Sequence, residues 1–414
     1  MDQKSRIQFD GTGGKLFKLS LVNILLSILT LGIYYFWAKV KIQKFIYAGT
    51  KVYGERFDYH ATGKEKFIAF LKALPVLAGI AGIYYGSQQL MNYFNVPIEY
   101  SQSILIIFFY LIFILIGPLL IVAKSRFTLS RSSWNNVHFK FRGKVKPLYK
   151  IMLKGIFLSI ITIGLYSPWF ICELQKYMTE NSNFGNMPFK YTGKGKELIK
   201  YFILIFIMTI IFIGIMANII ITTREITKKN LQDIEAMQKE KLETQISIHN
   251  VDNKKFPKEN NDLKKDDPEI TEDEEPTIAE DFEEESDFPF NPYVLAALPF
   301  LYLAFIIYTF YLKTKLYKYH WENTHIQDKP IKCTIKFGEY LGNIIAANII
   351  LAISFGIAAP WAYIMVKKYE LETIYLPENI DFQAIQAAPA EGSAFAEAFE
   401  EAGDFLDTLA DFIG

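Results

Sequence analysis

Few residues in this chain have the type and spacing that covalent chemistry needs. His320 and His325 stand five apart, not the three or four that would put two imidazoles on one helix face, so they make a poor metal pair. His60 and His138 fall in short alternating stretches and read as surface residues. The run Gly11-Thr-Gly-Gly-Lys15 lacks the spacing of a phosphate-binding loop, and no strand precedes it. Neither Gly-x-Ser-x-Gly nor His-Glu-x-x-His occurs. Cys172 and Cys333 lie far apart beside apolar segments and read as buried free thiols. The charges Lys72, Lys154, Glu173 and Lys200 sit within a turn or two of an apolar segment's end, where a long side chain reaches the headgroups. The expectation is no enzyme, no metal and no cofactor.

The residues that do recur are of a different kind. Three apolar segments end alike: Leu29-Thr-Leu-Gly32-Ile-Tyr-Tyr-Phe-Trp37, Ile161-Thr-Ile-Gly164-Leu-Tyr-Ser-Pro168-Trp169 and Ile353-Ser-Phe-Gly356-Ile-Ala-Ala-Pro360-Trp361. Glycine precedes tryptophan by five residues in each, and Pro168 and Pro360 directly precede theirs. The first two copies also align downstream, Phe57-Asp-Tyr59 and Gly63-Lys-Glu65 with Phe189-Lys-Tyr191 and Gly195-Lys-Glu197. This is an internal repeat, with a third copy that departs at Cys333 and lacks Gly-Lys-Glu. Glycine and proline in an apolar helix allow a kink or a break, and tryptophan prefers the headgroup level. Ala78, Gly82 and Gly86, spaced by four, form a small-residue face for close helix packing, inside the bundle or against a second copy.

The elements that carry these motifs are membrane segments. Half of the 414 residues are hydrophobic, and Gln102–Ala123, Tyr201–Thr223 and Tyr293–Leu312 are each free of charge. A crossing of ~30 Å takes about 20 such residues, which excludes a purely soluble fold. Seven apolar segments are expected, about 16–38, 67–90, 102–123, 151–172, 201–223, 293–312 and 340–366, in an all-α polytopic protein. Short stretches such as Arg56-Phe-Asp-Tyr-His60 and His138-Phe-Lys-Phe-Arg142 alternate with period two and predict small β elements in the cytoplasmic-side loops. Lys and Arg flank the motif segments on both sides, so these either span against the positive-inside rule or re-enter the same side.

A net charge of zero hides strong segregation. Acids outnumber bases 21 to 10 between Arg224 and Asp287, and 11 to none from Glu370 onward. The membrane part is therefore strongly basic, as expected for short loops that face anionic lipid. Four regions are expected: 1–223 with the first two repeat copies, an acidic and largely disordered insert over 224–290, 291–370 with the third copy, and an acidic tail over 371–414. An amphipathic helix over 393–413 carries Phe395, Phe399, Leu406 and Leu409 on one face and suits a protein partner. Membrane lipids and a second copy are the other expected partners. Nucleic acid is not, since no binding fold for it is recognisable.

Phe9-Asp-Gly11, Asn23 to Lys39, and Gly54-Glu-Arg-Phe-Asp-Tyr59 with Gly63 resemble the YjgN family of bacterial inner-membrane proteins, a domain family of unknown function. The resemblance covers most of residues 7–370. It implies a multi-pass inner-membrane protein and supplies no catalytic residues. The functional expectation is a non-enzymatic transporter, channel-like or lipid-handling protein; the alternative is an envelope scaffold that recruits partners through the insert and tail.

Overall fold

The computed structural model describes residues 5–252, 292–382 and 385. Most of the acidic insert and the expected helix over 393–413 lie outside them. Two compact units are present, one of Met1–Phe206 with Ile307–Gly414, the other of Ile207–Ile306. The chain begins β1 (Gln8–Phe9), α1 (Gly13–Leu29), α2 (Tyr35–Gly49), β2 (Thr50–Val52), β3 (Glu55–Tyr59), α3 (Gly63–Tyr93). It continues α4 (Ile98–Ser130), β4 (Ser132–Trp134), β5 (Val137–Phe141), α5 (Val145–Ile161), α6 (Ser167–Glu180). Then come β6 (Ser182–Phe184), β7 (Met187–Pro188), β8 (Lys190–Tyr191), α7 (Gly195–Asp252) and α8 (Pro292–Glu322). The described chain closes with β9 (Thr324–Ile326), β10 (Lys329–Pro330), β11 (Lys332–Cys333), α9 (Phe337–Ile353), α10 (Ala359–Glu372) and β12 (Ile374–Tyr375). The second unit holds the later part of α7 and the start of α8.

Three helices are long and apolar enough to cross a membrane, Gly63–Tyr93, Tyr100–Ser130 and Gly195–Glu243, among the described residues. Of the seven expected apolar helices, 67–90, 102–123, 201–223 and 293–312 fall in the continuous helices α3, α4, α7 and α8. The segments 16–38, 151–172 and 340–366 are each two helices, α1–α2, α5–α6 and α9–α10, joined by a tight turn. The cause is local. Leu31, Ile163 and Phe355 sit at φ 51°, 50° and 50°, and Gly32, Gly164 and Gly356 follow at 88°, 89° and 86°. The glycine N–H reaches back to the carbonyl of Ser27, Ser159 or Leu351 at 2.7, 2.6 and 2.8 Å, which closes a Schellman cap. Thr30, Thr162 and Ser354 then tie the two helices together. Each hydroxyl donates to a carbonyl of the first helix and accepts the N–H of Tyr34, Tyr166 or Ala358 at 2.9–3.0 Å.

The short strands do not stay scattered in loops. β1 to β7 form one antiparallel sheet, β8 pairs β9, β9 pairs β10, and β11 pairs β12. Only Phe189 separates β7 from β8, and only Ile331 separates β10 from β11, so each pair is one continuous strand. The last strand returns to the first: Ile7 N–H donates to the Ile374 carbonyl at 3.0 Å and Leu376 N–H to that of Ser5 at 2.9 Å. Among the described residues ten staves thus close on themselves and leave no free sheet edge. The hairpin turns Tyr53-Gly54, Asn135-Asn136 and Gln327-Asp328 have positive φ at both positions, the mirror-image turn that suits twisted two-residue hairpins. Alternation pointed to the strands that became β3 and β5, but the all-α expectation missed the ring because the other strands, of two or three residues, show no pattern and the pairing partners lie far apart in the chain.

Candidate functional site

The ring surrounds an apolar cavity of about 400 Å³. Ile7, Val52, Trp134, Phe184, Ile326 and Ile331, from six of the ten staves, form its buried wall. Leu129, Met178 and Trp321 reach it from the C-terminal ends of α4, α6 and α8. At the turn end the chain after β12 folds back across the opening. Phe382 packs on Tyr53 and Trp134 at ring distances of 5.4 and 5.0 Å. Gln327 holds Asp381 through two hydrogen bonds at 3.1 and 3.0 Å, and Tyr53 donates to the Pro377 carbonyl at 2.5 Å.

Among the described residues no Lys, Arg, Asp or Glu lines the cavity. Its polar groups are largely occupied: the hydroxyls of Ser182 and Thr324 donate to the carbonyls of Met178 and His320, each at 2.7 Å. His320 differs. Its Nδ1 is buried without a hydrogen-bond partner. Burial alone holds its pKa below the ordinary histidine value, so the ring is neutral at pH 7. Trp321 Nε1 is also buried, near the Tyr317 hydroxyl but outside hydrogen-bond geometry.

The repeated motif residues serve a second purpose, that of joining the helix pairs to the elements beside them. Trp37 lies against Gly63 at the start of α3, Trp169 against Gly195 at the start of α7, and Trp361 against Gly13 at the start of α1. A Cβ on these glycines would fall 2.4, 2.6 and 2.3 Å from the nearest tryptophan atom. Pro168 and Pro360 occupy the first turn of α6 and α10, where a missing N–H costs nothing, so they start helices instead of kinking them. Ala78, Gly82 and Gly86 lie exposed on α3, and a Cβ on Gly82 or Gly86 would meet no atom within 4 Å. Lys154 and Glu173 pair across α5–α6 at 2.7 Å. His60 and His138 meet as tilted rings 5.1 Å apart on the strand ring, where His60 Nε2 also meets the Ser133 hydroxyl at 2.7 Å. His325 lies on β9, whereas His320 belongs to α8. The glutamates of Gly-Lys-Glu are fasteners: Glu65 caps α3 and pairs with Arg131 at 2.7 Å, and Glu197 accepts from Tyr319 at 2.8 Å.

Sequence reasoning missed the cavity, although Phe57, Phe139 and Phe189 of its wall stand in the alternating stretches. It also missed the tryptophan-to-glycine contacts, although the conspicuous glycines were in the aligned units. No solved structure matches the chain significantly. Inner membrane protein YjgN of Escherichia coli (strain K12) is 46% identical over 63 residues, 15% of this chain and 16% of that protein. The protein of the same name from Salmonella typhimurium is 32% identical over 160 residues, 38% of this chain and 37% of its own length. The matched stretches thus span well under half of these relatives. A family model described as bacterial protein of unknown function (DUF898) matches residues 4–402. With that match running over nearly its whole length, the chain belongs to the YjgN family of bacterial proteins of unknown function.

Proposed function

We propose that this is a non-enzymatic inner-membrane protein that takes a lipid-like molecule into the strand ring. The observation that carries the reading is the cavity of about 400 Å³, a size typical of small-ligand sites, walled by aromatic and aliphatic side chains and free of charge. An aqueous solute pathway would need polar groups along its wall, so lipid handling fits better than a channel. The names of the relatives and the three crossing-length helices support the inner membrane.

The helix pairs α1–α2, α5–α6 and α9–α10 are read as three copies of one re-entrant repeat. Each first helix has 17 residues, about 26 Å at ~1.5 Å per residue, short of a crossing. Their turns expose Leu31, Ile163 and Phe355 at 94%, 61% and 95%, which water would not tolerate in three places but a bilayer would. The test is native mass spectrometry of the full chain released from lipid nanodiscs. A bound lipid-mass species is expected on the wild type and is weakened when Val52→Trp obstructs the cavity, with far-ultraviolet circular dichroism and gel-filtration profile unchanged. Equal retention by a folded Val52→Trp variant overturns the reading.

A further inference from the structure

We infer that Lys39 and Lys66 hold the phosphate of an anionic phospholipid whose chain lies in the groove between α1 and α2. The site is outside the strand ring and does not depend on what the cavity takes up. Three equivalent joints single it out. Each has a tryptophan on a glycine, and the same two positions follow, two residues after the tryptophan and three after the glycine. In the second joint these are Ile171 and Leu198, which share one buried apolar cluster. In the third they are Tyr363 and Leu16, and Leu16 is buried. The first joint has Lys39 and Lys66 instead, and Lys66 is half-buried where the other two have a fully packed leucine.

The protein supplies no counter-ion. α1, α2 and α3 carry eight lysines and one acid, Glu65, which Arg131 holds at 2.7 Å. None of these lysines is in an ion pair among the described residues. The Lys66 ammonium donates to Gln43, one turn along α2 from Lys39, and the Lys39 charge is close enough to repel it. Two neighbouring cations, one of them half-buried, are costly unless an anion joins them. The groove takes the other half of the ligand. It has a volume of about 730 Å³ and reaches from Ile42 past Lys39 to the turn at Gly32, with Ile24, Ile28 and Leu31 as its apolar side. Lysine binds phosphate as a point charge, and an aliphatic groove suits an acyl chain. Both features together belong to a lipid and not to a soluble phosphate.

The experiment is native mass spectrometry of the full chain released from nanodiscs of equal parts phosphatidylglycerol and phosphatidylcholine with identical chains. The wild type should retain phosphatidylglycerol about ten times more than phosphatidylcholine. Lys39→Ile with Lys66→Leu, the pair that the second joint already carries, should bring that ratio close to one. Lys39→Gln changes only an exposed side chain and should lower it about threefold, which decides the matter where the double variant does not fold. Lys150→Gln with Lys176→Gln removes the same charge from α5 and α6 and should leave the ratio unchanged. A wild-type ratio near one, a preference kept by the folded double variant, or an equal fall in the α5–α6 control overturns the site. Inorganic phosphate, matched in ionic strength by chloride, should not displace the lipid; displacement would make the ligand a soluble phosphate. Val52→Trp should keep the wild-type ratio. Loss of the ratio there would move the lipid into the ring and overturn this site, whereas failure of the ring reading leaves it standing.

Discussion

His320 sits where burial, not a neighbouring charge, controls its protonation. Its aromatic neighbours are Tyr191 at 5.9 Å and Trp321 at 5.5 Å. Because the folded value lies below the unfolded 6.5, the unfolded chain binds the proton first as pH falls. Stability is full above about pH 6.5 and declines below it toward the folded value. A thermal melt of the ring between pH 7.5 and 5 should therefore shift downward, and His320→Phe should flatten that slope; an unchanged slope would count against burial as the cause. Thr162 offers a second check at this scale. Its hydroxyl bonds both Leu158 and Tyr166, so Thr162→Val should cost about 1 kcal/mol, the usual worth of a lost cap, read as a lower denaturation midpoint.

At the scale of elements, the helix pairs are joined to their neighbours through tryptophan on glycine. Gly195→Ala would place a methyl group 2.6 Å from the Trp169 Cα, a backbone atom that cannot swing aside. The expected loss is about 1–3 kcal/mol from overpacking, against little change for Gly82→Ala, which faces open space. Urea or thermal titration of both variants in the same detergent separates them. The spacing of Gly32, Trp37 and their counterparts was legible from residues alone, and so was the presence of something unusual at that point. The role of the hydroxyls was not, because Thr30, Thr162 and Ser354 look like ordinary helix-end residues until the second helix is in place. The ring was hidden for a related reason. Only the longer staves β3 and β5 show their alternation, and the first stave's partner lies several hundred residues away.

At the scale of the whole molecule, every two-residue turn is reached from a helix C-terminus and left toward a helix N-terminus, which places the turns at one end of the ring. Single cysteines at Glu55, Asn136 and Asp328, all exposed, should label from one side of the membrane, and one at Asn95, between the two long helices α3 and α4, from the other. Mixed sides among the first three would dismantle the ring as drawn. The ring also dictates an order of assembly. Arg6 grips Glu372 at 3.1 Å, 366 positions later, and β1 waits for β12 before the circle is complete. At roughly 5–20 residues per second, the first stave spends some tens of seconds on the ribosome without its final neighbour. During that interval its open edge, with no final partner yet made, can pair wrongly.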